Sequence, residues 1–289
     1  MTFGTVAILG PGLIGGSLAL ALAERGLADK LVIYARSAHA LDAIRTAGVE
    51  AELTGNPSEA VRDADVVVLC VPIEAMAALV AEFRDALKPT ALVTDVGSVK
   101  GSVDRDLAPL LDDRALWIGS HPMAGSEQTG FTAARADLFE GAAVIITPTN
   151  RTRPEAENLA DKFWKALGGR VLKRDPKWHD IAVAQVSHIP HLVAAELVTN
   201  VSETSMDAAG SGLRDTTRVA SGSPSLWTEI IWANREAIRA ALVPLILELQ
   251  GIQDSLKGDD KSRLRDSLQY AHDLRAKMLE TNPLFKKRP

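Results

Sequence analysis

The sequence predicts an α/β chain: an N-terminal, mainly parallel sheet covered by helices, then an all-helical domain. Three observations carry this. The chain opens with a strand, a glycine-rich turn and a helix in immediate succession. Near-continuous apolar runs, the mark of strands buried on both faces, then alternate with helical stretches. After Asp175-Pro176 the strand pattern stops and only helical periodicity follows. Two domains are expected, 1–175 and 176–289.

Bulk properties narrow the class. The chain has 289 residues, 46% hydrophobic and 24% charged, enough for a real core in a globular protein. Net charge is −5 and no Lys/Arg-rich tract occurs, which argues against nucleic-acid or anionic-membrane partners. No apolar run is read as reaching the roughly 18 residues of a membrane span. The first strand begins too close to Met1 for a signal peptide, so a cytoplasmic protein is expected. The single cysteine, Cys70, lies in an apolar run and reads as a core thiol in a reducing compartment.

The first strand is Thr5–Leu9, followed by Gly10-Pro11-Gly12-Leu13-Ile14-Gly15-Gly16 and an Ala/Leu-rich helix from Ser17 to Arg25. This is a dinucleotide fingerprint in its proper context. Gly10 permits the tight turn, Gly12 lets backbone approach a pyrophosphate, and Gly15 lets helix and strand pack closely. Leu13 and Ile14 complete the turn at a helix N-terminus whose free N–H groups suit phosphate. The second strand, Leu31–Tyr34, ends in Ala35-Arg36-Ser37, where an NAD site usually has an acid for the ribose hydroxyls. With no acid, Arg36 can pair a 2′-phosphate and Ser37 can donate to it, so NADP is favoured, with NAD possible.

The next strand, Asp65–Val71, ends at Val71-Pro72, which joins the cofactor edge, and Ile73–Leu87 reads as a helix. Ala91–Val96 precedes Gly97-Ser98-Val99-Lys100 and a helix to about Leu111. Ser98 can bond the nicotinamide or a substrate hydroxyl, or cap that helix. Trp117–Ser120 reads as a strand that delivers His121 to the start of a loop, His121-Pro122-Met123-Ala124-Gly125-Ser126-Glu127. Pro72, Ser98 and His121 are then three strand ends on one crevice. An imidazole there can act as a general base near neutral pH. Ala142–Thr147, a helix over Pro154–Leu167 and a short strand Arg170–Lys173 complete the sheet domain.

The helical domain starts with an apolar pattern from Trp178 to about Glu203, continues with one or two helices over Leu226–Ser255, and ends with an amphipathic one over Lys261–Leu279. So apolar a unit is expected to pair with a second copy as a homodimer. In Ser187-His188-Ile189-Pro190-His191 the histidines share a helix face and Pro190 kinks the helix. They read as cavity-lining groups or as core histidines; no third ligand is spaced for a metal, and none is expected. In Gly212-Leu213-Arg214-Asp215-Thr216-Thr217-Arg218, Arg214 and Arg218 are i, i+4 neighbours with Asp215 to orient one of them, a face suited to a carboxylate.

Together the glycine turn, Asp95-Val96-Gly97-Ser98-Val99-Lys100, His121–Glu127, Ser187–His191 and Arg214–Arg218 resemble, in order and over nearly the whole chain, the prephenate/arogenate (cyclohexadienyl) dehydrogenase family of tyrosine biosynthesis. The resemblance implies a Rossmann-like domain, a helical dimerisation domain and an active site between them. It implies that His121 is the base, assisted by Ser98 near the nicotinamide. It implies that His188, His191, Arg214 and Arg218 surround the substrate with Trp227 nearby, while Glu127 and Asp215 tune the entrance. The regulatory or chorismate mutase domains that some relatives carry are not expected beside these helices. A β-hydroxyacid dehydrogenase is the nearest alternative, but its usual lysine on the helical half is replaced here by His188 and His191. A non-catalytic NADPH sensor leaves the His, Ser and Arg groups unexplained.

Overall fold

The computed structural model describes residues 2–126 and 128–281. In chain order the strands are β1 (Thr5–Leu9), β2 (Lys30–Tyr34), β3 (Glu52–Thr54), β4 (Val66–Leu69), β5 (Leu92–Asp95), β6 (Leu116–Trp117), β7 (Gly119–Pro122), β8 (Ala143–Thr147) and β9 (Arg170–Lys173). The helices are α1 (Leu13–Glu24), α2 (Ala38–Thr46), α3 (Pro57–Val61), α4 (Ile73–Phe83), α5 (Gly101–Leu111), α6 (Pro154–Ala166), α7 (Pro176–Val183), α8 (Ile189–Thr199), α9 (Ser211–Thr217), α10 (Pro224–Ala233), α11 (Arg235–Lys257) and α12 (Lys261–Thr281). The described residues up to Arg235 pack as one compact unit and those from Glu236 to Thr281 as a second.

The main sheet is wholly parallel, in the order β3-β2-β1-β4-β5-β6. Alternate side chains of each strand enter opposite cores. Val6, Ile8, Val66 and Val68 pack with Leu18 and Leu22 of α1 and with Phe163 and Trp164 of α6. Ala7, Leu9, Val67 and Leu69 pack with Met76, Val80 and Phe83 of α4 and with Leu107 and Leu111 of α5. Both faces are dry, hence the uninterrupted apolar runs. Strand order reverses between β1 and β4, the point at which such sheets bind ligands.

Several boundaries differ from the sequence reading. Helix α1 begins at Leu13 rather than Ser17, so Gly15 and Gly16 are helical. The expected strand Trp117–Ser120 is two strands: β6 ends the parallel sheet at Trp117, and β7 starts a second sheet, β7-β8-β9, in which β7 and β8 are antiparallel. His121 therefore lies inside β7, opposite Ile145, and not at the start of a loop. The long helix expected from Trp178 is α7, a π turn over Ala184–His188, and α8. Pro190 lacks an N–H, and the wider π turn just before it accommodates the break in the α-helical ladder.

Residues 176–199, taken as one helical stretch, are long and apolar enough by length and composition to cross a membrane, against the sequence expectation. Here its first helix, α7, packs on α5 and β8 and the stretch turns buried histidines inward, while Ile181, Val186, Leu197 and Val198 stay exposed. The contacts of this chain do not separate residues 1–175 from the helices up to 235. α7 packs on α5, and α10 reaches α4, where Glu229 accepts the Glu74 amide at 2.6 Å.

Candidate active site

The site is built where β5 ends. Asp95 accepts the amides of Gly97 (2.8 Å) and Ser120 (3.0 Å) and pairs with the Lys100 ammonium, which also donates to the Ser120 carbonyl at 2.8 Å. The Ser120 hydroxyl donates to the Asp95 carbonyl (2.6 Å) and receives the Trp164 indole N–H (3.0 Å). Asp95 and Lys100 are both fully buried. Burial pulls the Lys100 ammonium below its ordinary value while Asp95 opposes the shift. This network fastens β7 to the β5–α5 turn and so fixes the next residue, His121.

His121 is buried, and its Nδ1 lies 2.8 Å from His179 Nε2 on α7. His179 Nδ1 lies 2.8 Å from Asp180 Oδ1. Asp180 also accepts the Lys100 and Gly101 amides at the start of α5, both at 2.8 Å. Burial holds the His121 imidazole well below its ordinary value, helped by His179, Lys100 and His188. It is neutral at physiological pH, as a base must be before it acts.

Beyond His179, the π turn places His188 beside Asn234, whose Nδ2 lies 3.1 Å from His188 Nδ1 and donates to the Asp180 carbonyl at 2.8 Å. Burial lowers His188 to about 4. His191 stacks on Trp227 with ring centroids 3.6 Å apart, and Trp227 meets His188 edge-on. Nδ1 of His191 is buried without a hydrogen-bond partner. A Cβ at Gly222 would sit 2.4 Å from the Trp227 indole nitrogen, so only glycine admits the indole there.

The family models decide the identity. The model for the prephenate dehydrogenase nucleotide-binding domain matches residues 18–173, and that for the prephenate dehydrogenase dimerization domain matches residues 175–270. The chain belongs to the prephenate dehydrogenase family. It is 33% identical to the cyclohexadienyl dehydrogenase of Zymomonas mobilis over 94% of this chain and 99% of that one. The crystal structure of prephenate dehydrogenase from A. aeolicus in complex with hydroxyphenyl propionate and NAD+ matches with a TM-score of 0.88 and 29% identity, over 96% of this chain and 98% of that one. Synechocystis arogenate dehydrogenase matches with a TM-score of 0.81 and 30% identity, over 94% and 99%.

For a member of the prephenate dehydrogenase family, a dinucleotide must fit the first βα turn, and the residues present suit one. Gly10 has φ +107°, and a Cβ there would lie 2.6 Å from the Cys70 carbonyl; a Cβ at Gly15 would lie 2.1 Å from the Gly10 carbonyl. Gly12, at the N-terminus of α1, faces open space, which leaves its backbone approachable by phosphate. Val71 follows β4 beside Gly10, and Pro72 begins α4. Arg36 and Ser37 are exposed after β2, and Ser37 opens α2 without a side-chain cap bond.

The other expected residues divide. Ser98 is half-buried in the β5–α5 turn, but it does not cap α5: Lys100 holds that position, and Asp180 supplies the acceptor. His121 comes from the second sheet, so the crevice is not three ends of one sheet. His188, His191 and Trp227 are brought together as expected. Arg214 and Arg218 do not form one helical face, because α9 stops at Thr217 and Arg218 opens a 3-10 turn. Both are exposed, with Arg214 paired to the equally exposed Asp215 at 2.9 Å. Glu127 lies outside the described residues. The sequence reading missed Lys100, His179, Asp180 and Asn234. A signal existed for two of them: His179-Asp180 is a polar pair in an otherwise apolar helical pattern that Asp175-Pro176 opens.

Proposed function

We propose that this protein oxidatively decarboxylates a cyclohexadienol, prephenate to 4-hydroxyphenylpyruvate or arogenate to tyrosine, with NADP the favoured cofactor. The observation that carries the reading is a buried, neutral His121 held by a fixed polar network beside a His–Trp–His cluster. A bound nicotinamide would supply the acceptor for the hydride that leaves C4 of the substrate. His121 removes the C4 hydroxyl proton, and the O–H electron pair becomes the second bond of a C4 carbonyl. That carbonyl is conjugated to C1, so the C1–carboxylate bond breaks towards the ring, CO₂ leaves, and the ring becomes aromatic. The proton held by His121 returns to the phenolate oxygen, so none is gained or lost overall.

Ser98 stands in the turn ahead of α5 and is assigned to assist at the nicotinamide end. The unpartnered Nδ1 of His191 and the Trp227 face suit a polar group and a flat ring. His188, held by Asn234, shapes the same wall. Arg218 for the ring carboxylate and Arg214 for the side-chain carboxylate, with Asp215 and Glu127 at the entrance, rest on the resemblance and on spacing. The substrate domain is assigned to begin at residue 176. A cytoplasmic homodimer is supported by the dimerization-domain match and by lone, half-buried Cys70, whose thiol burial pushes up and keeps unreactive.

The NADP preference is supported by Arg36 and Ser37 at the end of β2 and by the absence of an acid there; the A. aeolicus relative holds NAD+. The test is a two-by-two assay of prephenate or arogenate with NAD+ or NADP+, following reduced nicotinamide. Turnover with NADP+ is expected, and the faster substrate names the activity. Turnover with NAD+ alone overturns the cofactor reading, and silence of folded, cofactor-binding protein in all four overturns the activity.

A further inference from the structure

The polar chain behind His121 has a direction. Asp180 accepts two backbone amides, from Lys100 on Oδ1 and from Gly101 on Oδ2, each at 2.8 Å. Backbone N–H groups cannot reverse, so the carboxyl of Asp180 is held as an acceptor. The group bonded to it, His179 Nδ1, must then carry a hydrogen and donate. A neutral imidazole has one N–H, so His179 Nε2 presents its lone pair. His121 Nδ1, at 2.8 Å from that lone pair, must be the protonated nitrogen of its ring. The rings meet edge to face at 60°, which suits a directed N–H bond. His121 Nε2 is left as a free lone pair.

The neutrality of His179 follows from its surroundings. It is fully buried on α7, and burial, helped by the Lys100 ammonium, outweighs the Asp180 bond that favours the charged ring. Asp95, which also faces it, is already paired with Lys100. Asp180 is held below the ordinary carboxylate range: burial pushes it up, but the His179 bond and the Lys100 and Gly101 amides outweigh that.

We propose that His179 and Asp180 are positioning residues that fix His121 as its Nδ1–H tautomer, so that Nε2 is the atom that takes the substrate's hydroxyl proton. The proposal rests on the reading of His121 as the base. When the O–H bond breaks and its proton binds Nε2, His121 becomes an imidazolium whose Nδ1–H bond to His179 strengthens. The Asp180 carboxylate at the end of the chain offsets the new charge. No proton passes beyond His121, and it is returned from Nε2.

The experiment uses the full-length chain labelled with ¹⁵N-histidine, with the His121 signals assigned by their loss in His121→Asn. In the wild type a pyridine-like shift is expected for Nε2 and a pyrrole-like shift for Nδ1. In His179→Leu that pattern is expected to be lost. kcat should fall at least about tenfold, towards the about 10⁴-fold that a wrongly held imidazole costs a hydrolytic triad. KM values for substrate and cofactor should stay within about threefold. His179→Gln, whose amide oxygen can accept from Nδ1–H, should recover most of the loss. A wild-type spectrum with the proton on Nε2 overturns the proposal, as does wild-type kcat in His179→Leu. The wild-type spectrum decides alone if the leucine variant does not fold. Full turnover in His121→Asn instead overturns the base reading itself, whereas an inactive His121→Asn with a reversed wild-type spectrum removes only the positioning proposal.

Discussion

Arg36 is exposed at the end of β2, next to Ser37 at the N-terminus of α2. A guanidinium paired to a 2′-phosphate is a charge-assisted bond, contributing about 1.5–3 kcal/mol. Arg36→Ala should therefore raise the KM for NADP+ by about 10–100-fold and leave that for NAD+ within about threefold. Steady-state titration of both cofactors checks this, and equal changes for the two would remove Arg36 from the phosphate site. At this scale the sequence was readable wherever chemistry depends on neighbours along the chain. The glycine turn, Arg36, Ser98, His121 and the His188–His191 pair all stood out by local spacing. Lys100 and Asn234 did not, and the His179-Asp180 pair offered only its polarity, because their roles depend on tertiary register. Lys100 matters because its side chain turns back to Asp95 and Ser120, and His179 because α7 packs beside the second sheet. No spacing rule relates residue 121 to residue 179.

The stretch α7–π turn–α8 concentrates titratable groups in the interior. His179, His188 and His191 lie on it, all buried, and burial lowers each below the ordinary histidine value. The unfolded chain binds protons on these groups near pH 6.5, whereas folded His188 does so only near 4. Below about pH 6.5 the unfolded state thus holds more protons, and stability falls as pH falls, with a limiting slope of about 1.4 kcal/mol per pH unit from His188. Urea unfolding at about pH 7.5, 6.5 and 5.5 should show little change over the first step and a clear loss over the second. His188→Asn should reduce the loss between about pH 6.5 and 5.5 by about 1 kcal/mol, and an unaltered loss would mean that His188 is not held neutral. Elements like this stretch also mark what was legible in the fold. The long strands were, because dry cores on both faces demand continuous apolar runs. Short β3 and α3 pass unnoticed in a polar stretch, and the crossing from β6 to β7 at Ile118 was read as one strand because both pieces are apolar or small. A π turn has no periodicity of its own at five residues and merges with the helices on either side.

Across the whole molecule, the side chains left in water argue for a second copy. Trp232 on α10 and Val186 on the π turn are each 67% exposed, and Trp178, Ile181, Leu197 and Val198 of the same unit are also exposed. In the second unit α11 leaves Val243, Ile246, Leu247 and Leu249 in solvent. These residues lie within 175–270, the stretch that matches the family's dimerization-domain model. A stable interface needs about 800 Å² per partner, with a few large side chains near its centre dominating the affinity. Trp232 is the largest candidate for such an anchor. Light scattering should give the wild type about twice the 30.9 kDa of one chain. Trp232→Glu replaces that anchor with a carboxylate that is costly to desolvate, and should weaken association by at least about 2 kcal/mol, roughly 30-fold. The variant should then run as a monomer at concentrations where the wild type is dimeric. His121, His179 and His188 hold their network within a single chain, so the monomer's ¹⁵N-histidine spectrum should keep the wild-type tautomer pattern. A wild type that stays monomeric when concentrated would overturn the dimer, and a dimer unaffected by Trp232→Glu would move the anchor to α11.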